Sequence, residues 1–562
     1  MISFYKNYKD ILLITFLGVI FFIPFLGGVH LFDWDEINFA EISREMIVTD
    51  TYLRLTVNFQ PFWEKPPFFF WLQVLAMKTF GINEFSARFP NAVFGILSLL
   101  VLYLIGKKLK NSKFGLIWAL IYLGSILPHL YFKSGIIDPV FNLLIFLGLY
   151  FFILFYWKKE NIIASKHSKG FYIFLSGSFI GLAVLTKGPV GYLLPLLTWG
   201  VYWIMKKFRF YVSIPQFFVI SLIALAATFA WFGLETVQHG PWFVETFTRY
   251  QFRLFSTQDA GHGGFPGYHF VVILIGCFPA SVFAIRGFYK FDMDTPHLVD
   301  FRKWMIILFW VVLILFTIVQ SKIVHYSSLA YFPLTFMAAI VIEKIIAKKL
   351  HFNRWMQFGV IALGSIYAIM TIVMPFLARK TAVIKPLFAK DPFAMANLEA
   401  DVHWSGWESV TGLVLLVVVV LAVIFMKQGR LWRGVVLLFI GTAFFVNITL
   451  IFFIARIEGY SQNAAVEFCK TLQGKDCYIT TSGYKSYVHY FYPRIQPHTN
   501  VNSIDKNWLL TGDIDKEVYI LTKIHRADDL RKYPDVEEIG SKNGFVFFRR
   551  VPADVGGSGF NN

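Results

Sequence analysis

The chain has 562 residues, of which 56% are hydrophobic and 19% aromatic, whereas only 15% are charged. A soluble protein rarely has so few charges, because its surface would lack polar cover. Apolar runs close to the length that crosses a bilayer recur from Ile11 to Ile454. The composition therefore excludes a soluble protein and predicts an α-helical polytopic membrane protein.

The formal net charge of +17 would suit a nucleic-acid partner, but the positions of the basic residues argue against one. They gather in alternate turns between the apolar runs, for example in residues 107–113, 158–169 and 206–209. Basic turns of this kind are typical of cytoplasmic loops. The N-terminus is accordingly predicted to be cytoplasmic, and no nucleic-acid partner is needed.

In chain order, the apolar runs predict about thirteen spanning helices. The first, Ile11 to Val29, is longer than the core of a signal peptide and lacks a cleavage site, so we interpret it as a retained helix. The predicted centres are Gly18, Leu97, Trp118, Phe146, Phe179, Leu197, Ile223, Ile275, Leu313, Phe336, Leu363, Val418 and Phe444. With an odd number of spans, the C-terminus lies outside the cytoplasm.

Three predicted outer segments are long enough to carry structure: residues 30–88, 238–268 and 378–408. In the first, Phe39, Ile42 and Met46 share one helical face, which predicts a helix lying along the membrane surface. A second, shorter helix is predicted from Pro66 to Gly81, since proline suits a first turn and glycine a helix end.

Beyond residue 454 the composition becomes that of a small soluble domain. We therefore predict a transmembrane domain, residues 1–454, and an extracytoplasmic α/β domain, residues 455–562. The domain's predicted elements are a helix from Gln462 to Leu472 and strands over residues 477–480, 485–492, 517–522 and 545–549. Cys277 is a predicted core residue, whereas Cys469 and Cys477 are either free or joined by a disulfide.

The segment Phe32-Asp33-Trp34-Asp35-Glu36 places three carboxylates beside two aromatic residues at the outer end of the first helix. Helix capping by Asp35, with Glu36 favouring the helix dipole, would account for one carboxylate. It does not account for three, so the pattern favours a functional site.

Other charged residues lie at the same predicted boundary. Glu64-Lys65 is either an exposed ion pair of little energetic weight or a contact to a lipid phosphate. Asp138 is either a helix cap or a second functional acid. Lys187 and Lys322 lie in turns where lysine is disfavoured, so they either snorkel from helix ends or join Lys65 in a cradle for a phosphate.

His262, in the second outer segment, could complete a metal site with Glu64, although a lone histidine is weak evidence for one. Walker and dinucleotide-type glycine motifs are absent from this region, so neither a nucleotide donor nor a nucleotide cofactor is expected. Acids and lysines that converge where a lipid headgroup would lie indicate chemistry on a lipid-linked phosphate.

The segment from Asp35 to Met46, DEINFAEISREM, resembles the first-loop motif of bacterial aminoarabinose transferases, which modify lipid A. That group is related to the protein O-mannosyltransferases among the GT-C glycosyltransferases. The later motifs Glu64-Lys65-Pro66-Pro67, Asp138-Pro139, Thr186-Lys187-Gly188 and Ser321-Lys322…His325-Tyr326 follow in the family's order. The resemblance covers most of the membrane region.

The resemblance implies a GT-C fold and inverting transfer of a sugar from a polyprenyl-phosphate donor. The acceptor would be lipid A, another glycan or a protein at the periplasmic face of the bacterial inner membrane, in contact with membrane lipids. Asp35 matches the family's catalytic acid, and Glu36 and Asp138 are further predicted catalytic residues. Lys65, Lys187 and Tyr326 match positions near the donor phosphate, and Lys322 and His325 belong to the same predicted substrate-binding set.

The resemblance also places Glu64 and His262 where some relatives hold a metal, which would be zinc, magnesium or manganese. One residue departs from the family pattern: Asn38 stands where arginine is frequent, which removes a contact to the donor phosphate. The alternatives are a secondary transporter, or a lipid-linked-oligosaccharide ligase or polymerase of the same fold. Transporters usually show internal repeats and charges near the bilayer midplane, and neither is obvious here.

Overall fold

The protein was analysed as a computed structural model that describes residues 2–257, 263–290 and 295–553. Within these ranges, nine helices are long and apolar enough to cross a membrane. They are Glu84–Leu109, Asp138–Lys159, Lys169–Lys187, Ile214–His239, Pro296–Ile318, Val324–Ile346, Arg354–Arg379, Trp407–Lys427 and Leu431–Gly459. Two bent pairs, Ser112–Leu123 with Ile126–Lys133 and Tyr268–Gly276 with Ala280–Gly287, raise the number to as many as eleven. The predicted multi-pass helical membrane protein is confirmed.

All thirteen predicted centres fall within helices, but thirteen full spans are not confirmed. Leu197 lies in Val190–Met205, which has only 16 residues. Gly18 lies in Ile2–Phe22, whose first half carries charged residues. Trp118 and Ile275 lie in the bent pairs, which turn by 83° and 115°. Hydropathy therefore predicted where the helices are, whereas their lengths and bends depend on tertiary packing.

Shorter elements connect the long helices. The α-helices are Asp35–Val48, Phe68–Phe80, Trp242–Ser256, Thr381–Ile384 and Pro392–Asn397, and the 3-10 helices are Tyr131–Lys133, Val324–Ala330, Lys385–Phe388 and Trp407–Ser409. A hairpin of β1 (Thr56–Val57) and β2 (Gln60–Pro61) precedes Phe68–Phe80. That helix ends at Gly81, where φ is 78°, as the sequence predicts.

The C-terminal domain contains a four-stranded sheet in the order β3 (Tyr478–Ser482), β4 (Val518–Lys523), β6 (Phe545–Arg550) and β5 (Val536–Lys542). β3 and β4 are parallel, and the other two pairs are antiparallel. The sheet is accompanied by the helices Asn463–Thr471, Val488–Phe491, Lys506–Thr511 and Ala527–Leu530 and by the 3-10 turns Val501–Ile504 and Ile524–Arg526. The cysteines Cys277, Cys469 and Cys477 are buried and free.

One expectation for this domain is wrong, and one strand was missed. The predicted strand over residues 485–492 is a loop followed by the helix Val488–Phe491, which buries Val488 and Phe491 against the rest of the protein. β5 was not predicted, because it is an edge strand with an exposed, largely polar sequence, and such a strand has little hydrophobic alternation to detect.

The helix Asp35–Val48 joins the two parts of the molecule. Its residues 36–46 are all buried. Phe39 and Ile42 belong to the core of the membrane part, whereas Ile37 and Ala40 pack with Val488 of the C-terminal domain. The predicted helix is present, and the C-terminal domain covers its polar face.

A helix buried on both sides must neutralise its own charges. Arg44 donates two hydrogen bonds of 2.7 Å to Glu41. Glu45 accepts a hydrogen bond of 3.0 Å from the backbone N–H of Phe59 in the hairpin. Burial, reinforced by the charge of Glu41, raises the pKa of Glu45 to about 8. Besides Glu36, which pairs with Arg88 of another helix, the helix at neutral pH therefore buries one internal ion pair and a mainly protonated acid.

The raised pKa of Glu45 predicts a pH-dependent stability. In this pH range the folded state keeps the Glu45 carboxyl protonated, whereas the unfolded chain releases the proton. The free energy of unfolding therefore falls progressively as the pH rises from the ordinary pKa of 4.5 to about 8. We therefore expect Glu45→Gln to be more stable than the wild type at the upper end of that range, with a flatter dependence of the unfolding temperature on pH. Thermal unfolding in detergent at several pH values measures this, and equal slopes for both proteins would contradict it.

The control for that measurement is Glu41→Gln. It leaves the buried guanidinium of Arg44 without its partner, which costs about 3–5 kcal/mol. Because the charge of Glu41 also helps to raise the pKa of Glu45, this variant should flatten the pH dependence as well, but at a much lower overall stability than Glu45→Gln.

Candidate active site

Arg88 holds the loop that leads to the helix Asp35–Val48. Its guanidinium donates to both carboxylate oxygens of Glu36, at 2.7 and 3.1 Å. It also donates to the carbonyl oxygens of Leu26, Val29 and His30, at 2.8–2.9 Å. The loop is thus tied to the start of the helix Glu84–Leu109 by a side chain with all its donors engaged.

Glu36 is the other half of this anchor. Its oxygens also accept hydrogen bonds from the backbone N–H groups of Phe32 and Gly135. Burial alone would raise its pKa, but the charge and hydrogen bonds of Arg88 hold the pKa below its ordinary value. We predicted a catalytic function for Glu36, whereas its saturated, buried position favours a structural one.

Asp33, two residues from Asp35, faces the C-terminal domain. Its carboxylate accepts hydrogen bonds from the hydroxyl of Ser486 and, at 3.1 Å, from the backbone N–H of Tyr487. The neighbouring Trp34 donates its indole N–H to the carbonyl oxygen of Lys485 at 3.1 Å. Burial raises the pKa of Asp33 to about 6 despite these bonds. This carboxylate therefore connects two parts of the fold.

Asp35 differs from both neighbours. The residue before the helix is Trp34, and it makes no side-chain capping bond, so the capping interpretation of Asp35 is wrong. The side chain of Asp35 is 45% exposed and lines a cavity of about 930 Å³ between the membrane part and the C-terminal domain. Of the three clustered acids, Asp35 is the one left accessible to a substrate.

The other predicted site residues surround the same cavity. Lys187, at the end of the helix Lys169–Lys187, donates to Asp138 at 2.6 Å, so Asp138 is not the predicted helix cap. His325 Nε2 lies 3.7 Å from Asp138 Oδ2 and 3.8 Å from Asp35 Oδ2. Lys187 Nζ lies 5.2 Å from the ring centroid of Tyr326. Two acids, a lysine, a histidine and a tyrosine from distant segments thus meet.

Lys65 approaches from the segment before the helix Phe68–Phe80. Its ammonium lies 5.2 Å from the ring centroid of Tyr250, whose hydroxyl donates to Glu64 at 2.9 Å. Burial lowers the pKa of Lys65, and the charges of Glu64 and Asp35 oppose that shift. Lys65 and Lys187 therefore supply two cations to the part of the cavity that holds Asp35.

Lys322 does not belong to this group, contrary to the prediction. Its ammonium donates to the carbonyl oxygens of Phe316, Thr317 and Val319, at 2.5–3.0 Å. These carbonyls end the helix Pro296–Ile318 and its continuation, where cations are favourable. The unusual position of this lysine in the sequence is explained by helix capping.

Of the two predicted metal ligands, the structure describes only Glu64. Glu64 borders the cavity, whereas His262 lies outside the residues that the structure describes. Within residues 2–257, 263–290 and 295–553, no three His, Cys, Asp or Glu side chains are grouped as metal ligands. The metal site of Glu64 and His262 therefore remains a prediction.

Several cavity residues were not predicted from the sequence. Tyr250 and Arg253 lie one turn apart on the helix Trp242–Ser256, and Lys485, Tyr487 and Lys523 come from the C-terminal domain. The spacing of Tyr250 and Arg253 in an aromatic outer segment was a usable signal. The domain residues gave none, because exposed lysines and tyrosines are common on soluble surfaces.

The geometry suits the transfer of a group away from an anion. Two cations can bind a phosphate, and a partly exposed carboxylate beside them can orient a nucleophile or accept its proton. The aromatic rings of Tyr326, Tyr250 and Tyr487 complete a cavity large enough for a sugar and parts of two larger substrates.

Comparison with known proteins agrees with this description. Residues 64–232 match the family described as "Dolichyl-phosphate-mannose-protein mannosyltransferase". Two relatives described as "Undecaprenyl phosphate-alpha-4-amino-4-deoxy-L-arabinose arabinosyl transferase" are from Wigglesworthia glossinidia brevipalpis and Edwardsiella ictaluri. The first is 27% identical over 60% of this chain and 58% of its own length. The second is 26% identical over 64% of each.

The fold comparison covers nearly the whole chain. The crystal structure of ArnT from Cupriavidus metallidurans bound to undecaprenyl phosphate aligns with a TM-score of 0.75, over 97% of this chain and 99% of that one. The same protein in the apo state gives 0.73. At 17% identity in both cases, these alignments establish a shared fold, and the predicted GT-C fold is confirmed.

The anchor between Arg88 and Glu36 predicts a strong coupling. Arg88→Leu leaves a carboxylate buried without its counter-charge and is expected to destabilise the protein by about 3–5 kcal/mol. The double variant Arg88→Leu/Glu36→Gln should recover part of that loss, because no charge is then left unpaired. Denaturation of the purified single and double variants measures the coupling, and strictly additive losses would contradict it.

Proposed function

We propose that this chain, an aminoarabinose transferase-like protein of GT-C fold, is an inverting glycosyltransferase that takes its sugar from a polyprenyl phosphate. The single observation that carries the proposal is the placement of Asp35, a half-exposed acid facing a cavity that also holds Lys65 and Lys187. By analogy with the relatives' names, we propose undecaprenyl-phosphate aminoarabinose as the donor and lipid A as the acceptor.

The two lysines act on the leaving group. When the bond between the anomeric carbon and the phosphate oxygen breaks, negative charge grows on the polyprenyl phosphate. Lys65 and Lys187 stabilise that charge in a partly buried site, where electrostatic stabilisation is strong. The bond from Lys187 to Asp138, 2.6 Å long, fixes the position of this ammonium before the donor binds.

Asp35 acts on the acceptor. It orients the attacking oxygen and, where that oxygen belongs to a hydroxyl, takes its proton. A phosphate oxygen, already ionised, needs orientation only. His325 lies within 4 Å of both Asp35 and Asp138 and holds the two carboxylates apart at a fixed spacing. We assign it as a positioning residue.

Asn38 binds the sugar in this proposal. Its side-chain oxygen is buried and has no hydrogen-bond partner among the described residues, and the residue lines the cavity. A hydroxyl or amino group of a bound sugar would satisfy this oxygen. Where an arginine would bind a phosphate, Asn38 thus offers a hydrogen-bond acceptor that suits a hydroxyl or amino group of a sugar.

The cavity lies at helix ends, beside the first loop and the C-terminal domain, which favours a transferase over a transporter with a site at mid-depth. The basic turns support an orientation with that side outside the cytoplasm. The orientation we propose has a cytoplasmic N-terminus and a periplasmic C-terminal domain, in the inner membrane of a bacterium.

The catalytic assignment is tested by Asp35→Asn. We expect its rate of sugar transfer to fall by about 10²–10⁴-fold, while the purified protein still binds undecaprenyl phosphate. Transfer is measured by mass spectrometry with undecaprenyl-phosphate aminoarabinose and lipid A in detergent. Asp50→Asn, in the same loop but outside the cavity, is the control. Unchanged transfer by Asp35→Asn would overturn the assignment.

The donor assignment is tested by Lys65→Ala, which should weaken binding of undecaprenyl phosphate as well as transfer. Lys78→Ala is the matched control, because Lys78 also lies over a tyrosine ring, that of Tyr52 at 4.3 Å, but away from the cavity. Equal affinity of the wild type and Lys65→Ala for undecaprenyl phosphate would contradict the assignment.

A further inference from the structure

The C-terminal domain forms one wall of the cavity. It carries two lysines, Lys485 and Lys523, and the aromatic rings of Tyr484 and Tyr487. Lys485 follows β3, and Lys523 ends β4. Because β3 and β4 are neighbouring parallel strands, their carboxyl ends bring both lysines to the same edge of the sheet.

Both ammonium groups lie over aromatic rings. Lys485 Nζ lies 4.7 Å from the ring centroid of Trp34 and 5.6 Å from that of Tyr487. Lys523 Nζ lies 4.2 Å from that of Phe393 and 5.4 Å from that of Tyr484. Such contacts orient a cation but leave its charge uncompensated.

Neither lysine has an acidic partner within 4 Å among the described residues. Asp33 is close enough for both lysines to lower its pKa, but its oxygens already accept hydrogen bonds from Ser486 and Tyr487. By contrast, Lys187 of the membrane part is paired with Asp138. The two uncompensated cations of the domain therefore suit an anion that arrives with a ligand.

We propose that Lys485 and Lys523 form a second anion site, which binds a phosphate of the acceptor at a position separate from the reacting atom. The inference rests on the proposed function and deepens it: the acceptor is a phosphorylated glycolipid that spans the cavity. One end presents the attacking oxygen to Asp35. The other end places its anionic group on the lysines, with sugar faces against the aromatic rings.

Two cation pairs, one from the membrane part and one from the C-terminal domain, also divide the binding energy between the two substrates. Lys65 and Lys187 hold the phosphate of the donor, and Lys485 and Lys523 hold that of the acceptor. Loss of the domain pair should therefore raise the KM for the acceptor and leave the affinity for undecaprenyl phosphate unchanged. A purely structural function of these lysines would not produce this separation.

The test compares the full-length protein with Lys485→Ala/Lys523→Ala and Lys485→Arg/Lys523→Arg. The probes are diphosphoryl lipid A, lipid A with its phosphates removed enzymatically except the accepting one, and undecaprenyl phosphate. We expect the alanine variant to raise the KM for diphosphoryl lipid A by about tenfold or more. The arginine variant should restore most of it.

The remaining controls keep the result interpretable. Lys475→Ala removes a lysine of the same domain that also lies over a tyrosine, Tyr519 at 5.6 Å, but outside the cavity, and it should have no effect. The wild type should also prefer diphosphoryl lipid A over the singly phosphorylated form, and the alanine variant should lose that preference.

Three outcomes decide the matter. An unchanged KM of the alanine variant, with normal transfer by the wild type, overturns the second anion site alone. A loss of undecaprenyl phosphate binding in the alanine variant, which a general structural defect would cause, also overturns it. No transfer by the wild type to either form of lipid A, despite donor binding, contradicts the proposed acceptor itself.

Discussion

The fixed position of the first loop depends on one buried ion pair. The Arg88 guanidinium donates hydrogen bonds to the carboxylate of Glu36 and to three carbonyl oxygens of the preceding loop. Leu26 and Leu31 of this loop are buried, and the guanidinium, with five directed donors, binds the loop carbonyls that this packing removes from water. Asp35 and the start of the helix Asp35–Val48 take their position from this pair.

The three clustered acids show how one short segment serves three purposes. Glu36 binds Arg88 inside the membrane part, Asp33 binds Ser486 in the C-terminal domain, and Asp35 between them stays half exposed. Because both neighbours are immobilised, Asp35 has little freedom to move away from its place beside His325. Preorganisation of this kind lowers the cost of orienting a substrate.

The sequence predicted the helix positions and the first loop, because apolar runs and charges on the unexpected side of a membrane are strong signals. The family resemblance implied the grouping of Asp35, Asp138, Lys187, His325 and Tyr326. It failed where the sequence pattern does not show which contact a charged residue makes. Lys322 and Glu36 were predicted to be site residues, yet the charged group of each is engaged in a structural contact. Lys485 and Lys523 looked ordinary, and only the docking of the domain brings them to the cavity.

The contact between Asp33 and Ser486 joins residues 453 positions apart in the chain. A ribosome synthesises the loop of Asp35 before the sheet of the C-terminal domain, so Asp35 lacks part of its surroundings until that domain has been made. Membrane insertion and closure of the cavity are thereby separated in time. The newly made protein therefore completes this cavity only after the C-terminal domain has folded onto the first loop.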